Sequence, residues 1–328
     1  MSYSNSSLNC FQNCMKLYEH RYILHTPPCK PPSIHLEFGT MAHEVLYKAG
    51  VLRDECRDGV SDDQYRTIIP SEVLYPHLKQ EFQIKTWDHY FRAVIKRTAE
   101  QEAELISELG EPCELYREHK FVITIQQLQE LGYDTNDGLT GVIDLLIVGQ
   151  TKATIIDYKF STTKKGQDEF DQNSQLQLYA MAVHLLYDIP LHNIRIGYID
   201  IPKKDFGFPT LLSNGTLSRA ASQNCSAENY EKAVIAVHGE DDQVYHCRDG
   251  GYYYDIYNKL KLNSPAYLVT QWLDLDAYSN ITDDLINTAC VITKMRNEQM
   301  PFLRKYDTYS CGGCEYLDSC KPWRKVQW

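Results

Sequence analysis

"GVIDLLIVGQTKATIIDYKF", residues 141–160, sets two apolar runs on either side of a short polar turn. Placing "GQTK" (149–152) at the tip of a hairpin puts residue 150−k opposite residue 151+k, so Asp144 faces Asp157. Directly opposed residues of an antiparallel pair project from the same face, ~4.5–5.5 Å apart. Lys159 lies two positions beyond Asp157 and shares its face. Val142, Ile143, Leu145, Leu146, Ile155 and Ile156 surround these charges with apolar side chains. Charged groups are seldom buried unless paired or bound to metal. Two facing carboxylates repel, and a divalent cation between them removes the conflict; oxygen ligands suit Mg²⁺ or Mn²⁺. A cross-strand ion pair of Asp144 with Lys159 on a solvated face is the plainer alternative, and the apolar neighbours weigh against it.

Working outward, "ELYREHKFVITI" (114–125) is a strand before this hairpin, "NSQLQLYAMAVHLLY" (173–187) a helix after it, and "IRIGYIDI" (194–201) a further strand. This β-β-β-α-β order predicts an α/β fold with a mixed sheet flanked by helices. Upstream, "SSLNCFQNCMKLYEHRY" has apolar residues at helical spacing, with Ser6 or Ser7 as its cap. "FGTMAHEVLYKAG" predicts a helix capped at Thr40, with His43 in its first turn. A helical insertion is expected over about 50–112, a β-rich, tyrosine-bearing elaboration over about 203–275, and a last helix and cysteine-rich tail over 276–328. All belong to one domain, 1–328.

The chain has 328 residues, 43% hydrophobic and 23% charged, enough for a substantial core and unlike a disordered chain. A net charge of −11 excludes a broad basic coat, so a nucleic-acid partner needs positive charge confined to a groove. No apolar run reaches the ~20 residues of a membrane helix, and no secretory signal opens the chain. Eleven cysteines without an export signal favour free thiols and metal ligands in a reducing cytoplasm. Three of them, Cys311, Cys314 and Cys320 in "CGGCEYLDSC", are spaced C-x2-C-x5-C. Zinc and iron–sulfur sites usually take four ligands. Spacing alone leaves both Cys10 and Cys14 open as the fourth.

The ordered set of motifs resembles the RecB-like branch of the PD-(D/E)XK nucleases. More narrowly, it is similar to the iron–sulfur exonucleases: the CRISPR-associated adaptation exonucleases, the exonuclease V group and the AddB nuclease domain. "GTMAHEVL" matches the helix motif that places His43 as a metal ligand, and "GVIDLL" matches the strand motif that does so for Asp144. "IIDYK" gives Asp157 as metal ligand and Lys159 as catalytic lysine. "QLQLY" gives Gln175 and Tyr179, implied to support the lysine and the DNA backbone. "CMKLYEHRY" with "CGGCEYLDSC" implies a 4Fe–4S cluster on Cys14, Cys311, Cys314 and Cys320. Cys14 also neighbours Phe11 and Met15 on the apolar stripe of its helix.

The resemblance implies a restriction-endonuclease-like core, an iron–sulfur clasp between the chain's two ends, and Mg²⁺- or Mn²⁺-dependent exonuclease activity on single-stranded DNA ends. A helicase, recombination or adaptation partner goes with it; the chain itself has no P-loop motif. Glu118 reads as an exposed glutamate more readily than as an outer metal ligand. Lys321, Trp323, Arg324 and Lys325 offer contacts to a DNA backbone or base. The competing readings are a non-catalytic DNA-end-binding or helicase-assisting module on the same fold, and a zinc-stabilised interaction protein.

Overall fold

The computed structural model describes residues 2–320 apart from 57–58, 134, 163–172, 221–222, 241–243, 262 and 306–307. Among these residues six strands form one mixed sheet: β1 (Ser2–Ser4), β2 (Glu114–Ile123), β3 (Gly138–Val148), β4 (Ala153–Ser161), β5 (Ile194–Pro202) and β6 (Tyr267–Trp272). The path runs β1-β3-β4-β5-β6, with β2 also on β3. β3 pairs with β4 from Leu145↔Ile156 to Val148↔Ala153, the register in which Asp144 and Asp157 come next in line. The turn closes through Gly149 N–H to Lys152 O (2.9 Å), and the Glu111 carboxylate accepts from the Thr151 and Lys152 N–H groups.

β2 runs antiparallel along one edge of β3 from Val148 to Leu139. The other edge is divided: β4 takes 145–148 and the parallel β1 takes 138–140. β3 therefore leaves β4 at Asp144, and the sheet forks there.

Helices cover both faces. α1 (Asn5–Asn13), α8 (Ser174–Tyr187) and α11 (Leu275–Asn297) bury Leu8, Leu178 and Ile286 against Ile143, Ile155 and Ile196. α3 (Ile34–Glu55) and α6 (Trp87–Leu109) bury Phe38, Phe91 and Val94 against Leu145, Ile156 and Ile199 on the other face. The helices of 50–112, with α4 (Asp62–Ile68) and α5 (Pro76–Glu81), thus build one layer of the core. Two-residue alternation is interrupted at the fork. Ile143 and Leu145, two apart on β3, enter opposite cores. Glu118, opposite Asp144 in the β2–β3 register, has φ +48°, a left-handed conformation rare outside glycine.

Three local expectations change. The first helix is capped by Ser4, whose hydroxyl accepts from Ser7 N–H, and it stops at Cys14, which is extended (φ −163°). α2 (Met15–Tyr18) and a π-turn (Glu19–Ile23) follow. α3 begins at Ile34 under a Ser33 cap, directly after Pro31-Pro32, so His43 sits in its middle; Thr40 donates to Leu36 O as an interior helix residue. The 203–275 region is not β-rich. Its described part holds α9 (Ala227–His238), α10 (Tyr254–Leu260) and β6, and the two helices enclose a third small core of Tyr230, Val234, Tyr253 and Leu260. Tyr230 and Val234, four apart, give α9 its buried stripe. α7 (Ile125–Glu130) lies between β2 and β3, and α12 (Thr308–Gly313) opens the cysteine tail. No helix among the described residues is long and apolar enough to cross a membrane.

Candidate active site and thiol pocket

Asp144 stands where the β3–β4 ladder ends, and its side chain replaces the missing backbone partner. Oδ2 accepts from Tyr158 N–H at 2.7 Å. From α3, on one face of the sheet, His43 Nδ1 comes within 3.6 Å of the same oxygen. Glu118 reaches in from β2. One ligand atom each from His43, Glu118 and Asp144 lie within 4.8 Å of one another, the one such group of His, Cys, Asp or Glu among the described residues. The left-handed backbone of Glu118 accompanies its place in this group. Sequence reasoning ranked Glu118 as an exposed glutamate; register alone places it opposite Asp144, but a positive φ has no signature in a glutamate.

The electrostatics of the group are those of acceptors without a cation. Burial, and next the Asp157 charge, push the Asp144 carboxyl well above the ordinary carboxylate range. Burial likewise raises Glu118 and lowers His43. Each group is driven toward its neutral form, a state that a bound divalent cation would reverse. Their oxygen and imidazole donors suit Mg²⁺ or Mn²⁺.

On the α8 side lies a second, fully connected set. Lys159 Nζ donates to Gln175 Oε1 at 3.0 Å. Gln175 Nε2 donates to Asp157 Oδ1 (3.0 Å) and to the Tyr179 hydroxyl (2.7 Å). Lys159 Nζ is also 2.6 Å from Asp157 Oδ2, an ion contact outside hydrogen-bond angles, so this buried oxygen keeps an unused lone pair. Asp157 lies outside the His43–Glu118–Asp144 group but presents that oxygen from the next strand. Gly141 allows Tyr179 its approach: a Cβ there would meet the Tyr179 ring at 3.0 Å and the Phe121 ring at 2.7 Å.

Cys14, Cys311, Cys314 and Cys320 line one small cavity with Leu17, His20, Tyr316 and Leu317. All four are free thiols. The helix break at Cys14 turns it to this cavity, whereas Cys10 remains in the first core with its thiol pushed up to about 11 by burial. The tail is held to the N-terminal segment independently of the thiols. Lys16 N–H donates to Leu303 O (3.0 Å), Cys29 N–H to Glu315 O (2.7 Å) and Lys30 Nζ to Gly312 O (2.9 Å), and Arg21 pairs with Glu315. Lys321, Trp323, Arg324 and Lys325 lie outside the described residues.

The family description "PD-(D/E)XK nuclease superfamily" matches residues 2–321 of the chain. Among solved structures, a candidate exonuclease from Eubacterium rectale is similar with a TM-score of 0.48 and 10% identity, over 99% of this chain and 90% of that one. The structure of SSO0001 gives a TM-score of 0.25 and 11% identity, over 96% and 95%. Among curated proteins none matches the chain in sequence.

Proposed function

The chain belongs to the PD-(D/E)XK nuclease superfamily, and on that premise we propose that it is a Mg²⁺- or Mn²⁺-dependent DNA exonuclease of the iron–sulfur branch, acting on single-stranded ends. The observation that carries the reading is the convergence of His43, Glu118 and Asp144 beside the Lys159–Gln175–Asp157 set. His43, Asp144 and Asp157 would hold the metal, with Glu118 as a further carboxylate. A cation held there would supply Lewis acidity to a phosphodiester and a more acidic bound water.

The chain's own groups do the rest. Gln175 bridges Lys159 and Asp157, so the ammonium is held at a fixed place rather than swinging on its four-carbon stem. From there it can orient the attacking water or neutralise charge growing on the phosphate. Tyr179 fixes the Gln175 amide and keeps its own proton, since burial raises its pKa. The Tyr158 N–H satisfies one Asp144 lone pair and aims the carboxylate.

Cys14, Cys311, Cys314 and Cys320 would hold a 4Fe–4S cluster. Four thiols on one cavity are the usual ligand complement of such a cluster. The helicase, recombination or adaptation partner belongs to the same proposal.

The test is cleavage of end-blocked and free-ended single- and double-stranded DNA. Loss of products with EDTA, their return with Mn²⁺ or Mg²⁺, and protection by blocked ends are expected. Binding of DNA ends without any metal-dependent cutting would replace the reading with a non-catalytic end-binding module.

A further inference from the structure

Behind the metal-ligand group lies a buried ion knot, which meets it through the Tyr158 ring, edge-on to His43 at 6.5 Å between centroids. Glu102 of α6 is 4% exposed. Its carboxylate accepts from Arg53 Nη2 at 2.9 and 2.8 Å, from Arg117 Nη2 at 2.9 Å and from the Tyr158 hydroxyl at 2.7 Å. Arg117 forks onto Asp54 as well, Nε to Oδ2 at 2.7 Å and Nη2 to Oδ1 at 3.1 Å. Two cations and two anions balance, and buried Arg53 Nη1 is left without a hydrogen-bond partner.

Two spokes end next to the proposed cation site: Arg117 precedes Glu118 on β2, and Tyr158 gives its N–H to Asp144. Arg53 and Asp54 lie further off on α3, about 15 Å along the helix from His43. α3 keeps room for the guanidinium with Gly50, where an added Cβ would stand 2.5 Å from Arg117 Cζ.

We propose that this knot is a positioning device for the cation site, with Arg117 and Tyr158 as its positioning residues and Gly50 as the opening that admits Arg117. The proposal rests on reading His43, Glu118 and Asp144 as cation ligands. Glu118 sits in a strained backbone region, and such a conformation persists only where its surroundings over-determine it. Arg117, fixed by two carboxylates, is the immediate neighbour that does so. Tyr158 is held at both ends, its phenol by Glu102 and its N–H by Asp144, so a displaced ring is felt at the carboxylate. Outer groups that orient metal ligands are worth about 10–100-fold in metal affinity.

Mn²⁺ binding is measured by calorimetry on the DNA-free full chain, together with the Mn²⁺ dependence of cutting, for Gly50→Ala and Tyr158→Phe. Gly50→Ala should weaken Mn²⁺ binding roughly ten-fold, and Tyr158→Phe about three- to ten-fold, with cutting at saturating Mn²⁺ preserved within about two-fold. Tyr230→Phe is the control. It also removes one tyrosine hydroxyl bond, to Ser218 O in the third core, and should leave Mn²⁺ affinity unchanged. If Gly50→Ala fails to fold, Tyr158→Phe decides. Unchanged affinity in the folded variants, or an equal loss in Tyr230→Phe, overturns the positioning role. A native protein that binds no Mn²⁺ overturns the cation-site reading itself, a result distinct from the other two.

Discussion

At the fork, donors and acceptors from three strands and two helices crowd together, most already bonded to one another. At the thiol pocket, four cysteines line a small cavity together with Leu17, Tyr316 and Leu317 and the basic His20, Arg304 and Lys305, and no thiol is joined to another. The fork is organised in advance by Tyr158, Gln175 and the Glu102 knot. The pocket's position is set instead by backbone bonds of its flanks, such as Cys29 N–H to Glu315 O. The difference fits the separate tasks of the proposal: cleavage at the first centre, and at the second a metal centre added to a clasp that its flanks already form.

Asp157→Ala or Lys159→Ala separates the two most sharply. Each should cut cleavage by about 10³-fold or more, while iron content and visible colour stay as in the native protein. Full cleavage by either variant, measured at saturating Mn²⁺, removes that residue from the site. The converse variant is Cys14→Ala. It should bleach the protein, lower its iron content and reduce the melting temperature by roughly 5 °C or more, because metal binding free energy counts toward folding. Cys10→Ala should keep the colour; a bleached Cys10→Ala protein would move the fourth thiolate one turn earlier.

A smaller effect belongs to Asp144→Asn. Removing one ligand charge should raise the Mn²⁺ concentration for half-maximal cutting by about ten-fold without changing iron content. An unshifted Mn²⁺ titration would take Asp144 out of the ligand set.

The smallest effect is chemical. The Cys10 thiol is pushed up to about 11, so at pH 8 only about one molecule in a thousand carries the thiolate there. Alkylation of Cys10, followed by mass spectrometry, should therefore be negligible near neutrality and rise about ten-fold per pH unit until that value. Rapid labelling at pH 7 would place Cys10 in the pocket with the other thiols.

Much of the fork was legible because a hairpin's register follows from its turn. "GQTK" alone brings Asp144 and Asp157 into line, and period-two alternation puts Lys159 beside Asp157. The i, i+4 relation of Gln175 and Tyr179 likewise survives in the fold, where the two side chains are bonded. What escaped was every feature that interrupts a period. The break at Cys14 uses extended backbone open to any residue, so nothing in the local sequence marks it, and the left-handed Glu118 is set by tertiary contacts, since glutamate does not prefer that conformation. The α3 start was missed because Thr40 resembles a cap, whereas Pro31-Pro32 followed by Ser33 is the stronger stop-and-start signal. The 203–275 tyrosines suggested strands, yet their burial in the third core comes from helix-to-helix packing.

The bonds between the N-terminal segment and the tail have a mechanical consequence. Lys16 to Leu303, Cys29 to Glu315 and Lys30 to Gly312 join residues 16–30 to residues 303–315. A pull on the tail would load these links before it reached α11, whereas a pull on Ser2–Ser4 would act on β3 directly through the β1 pairing. The clasp would then shield the geometry at Asp144 from force entering at the tail, and not from force entering at β1.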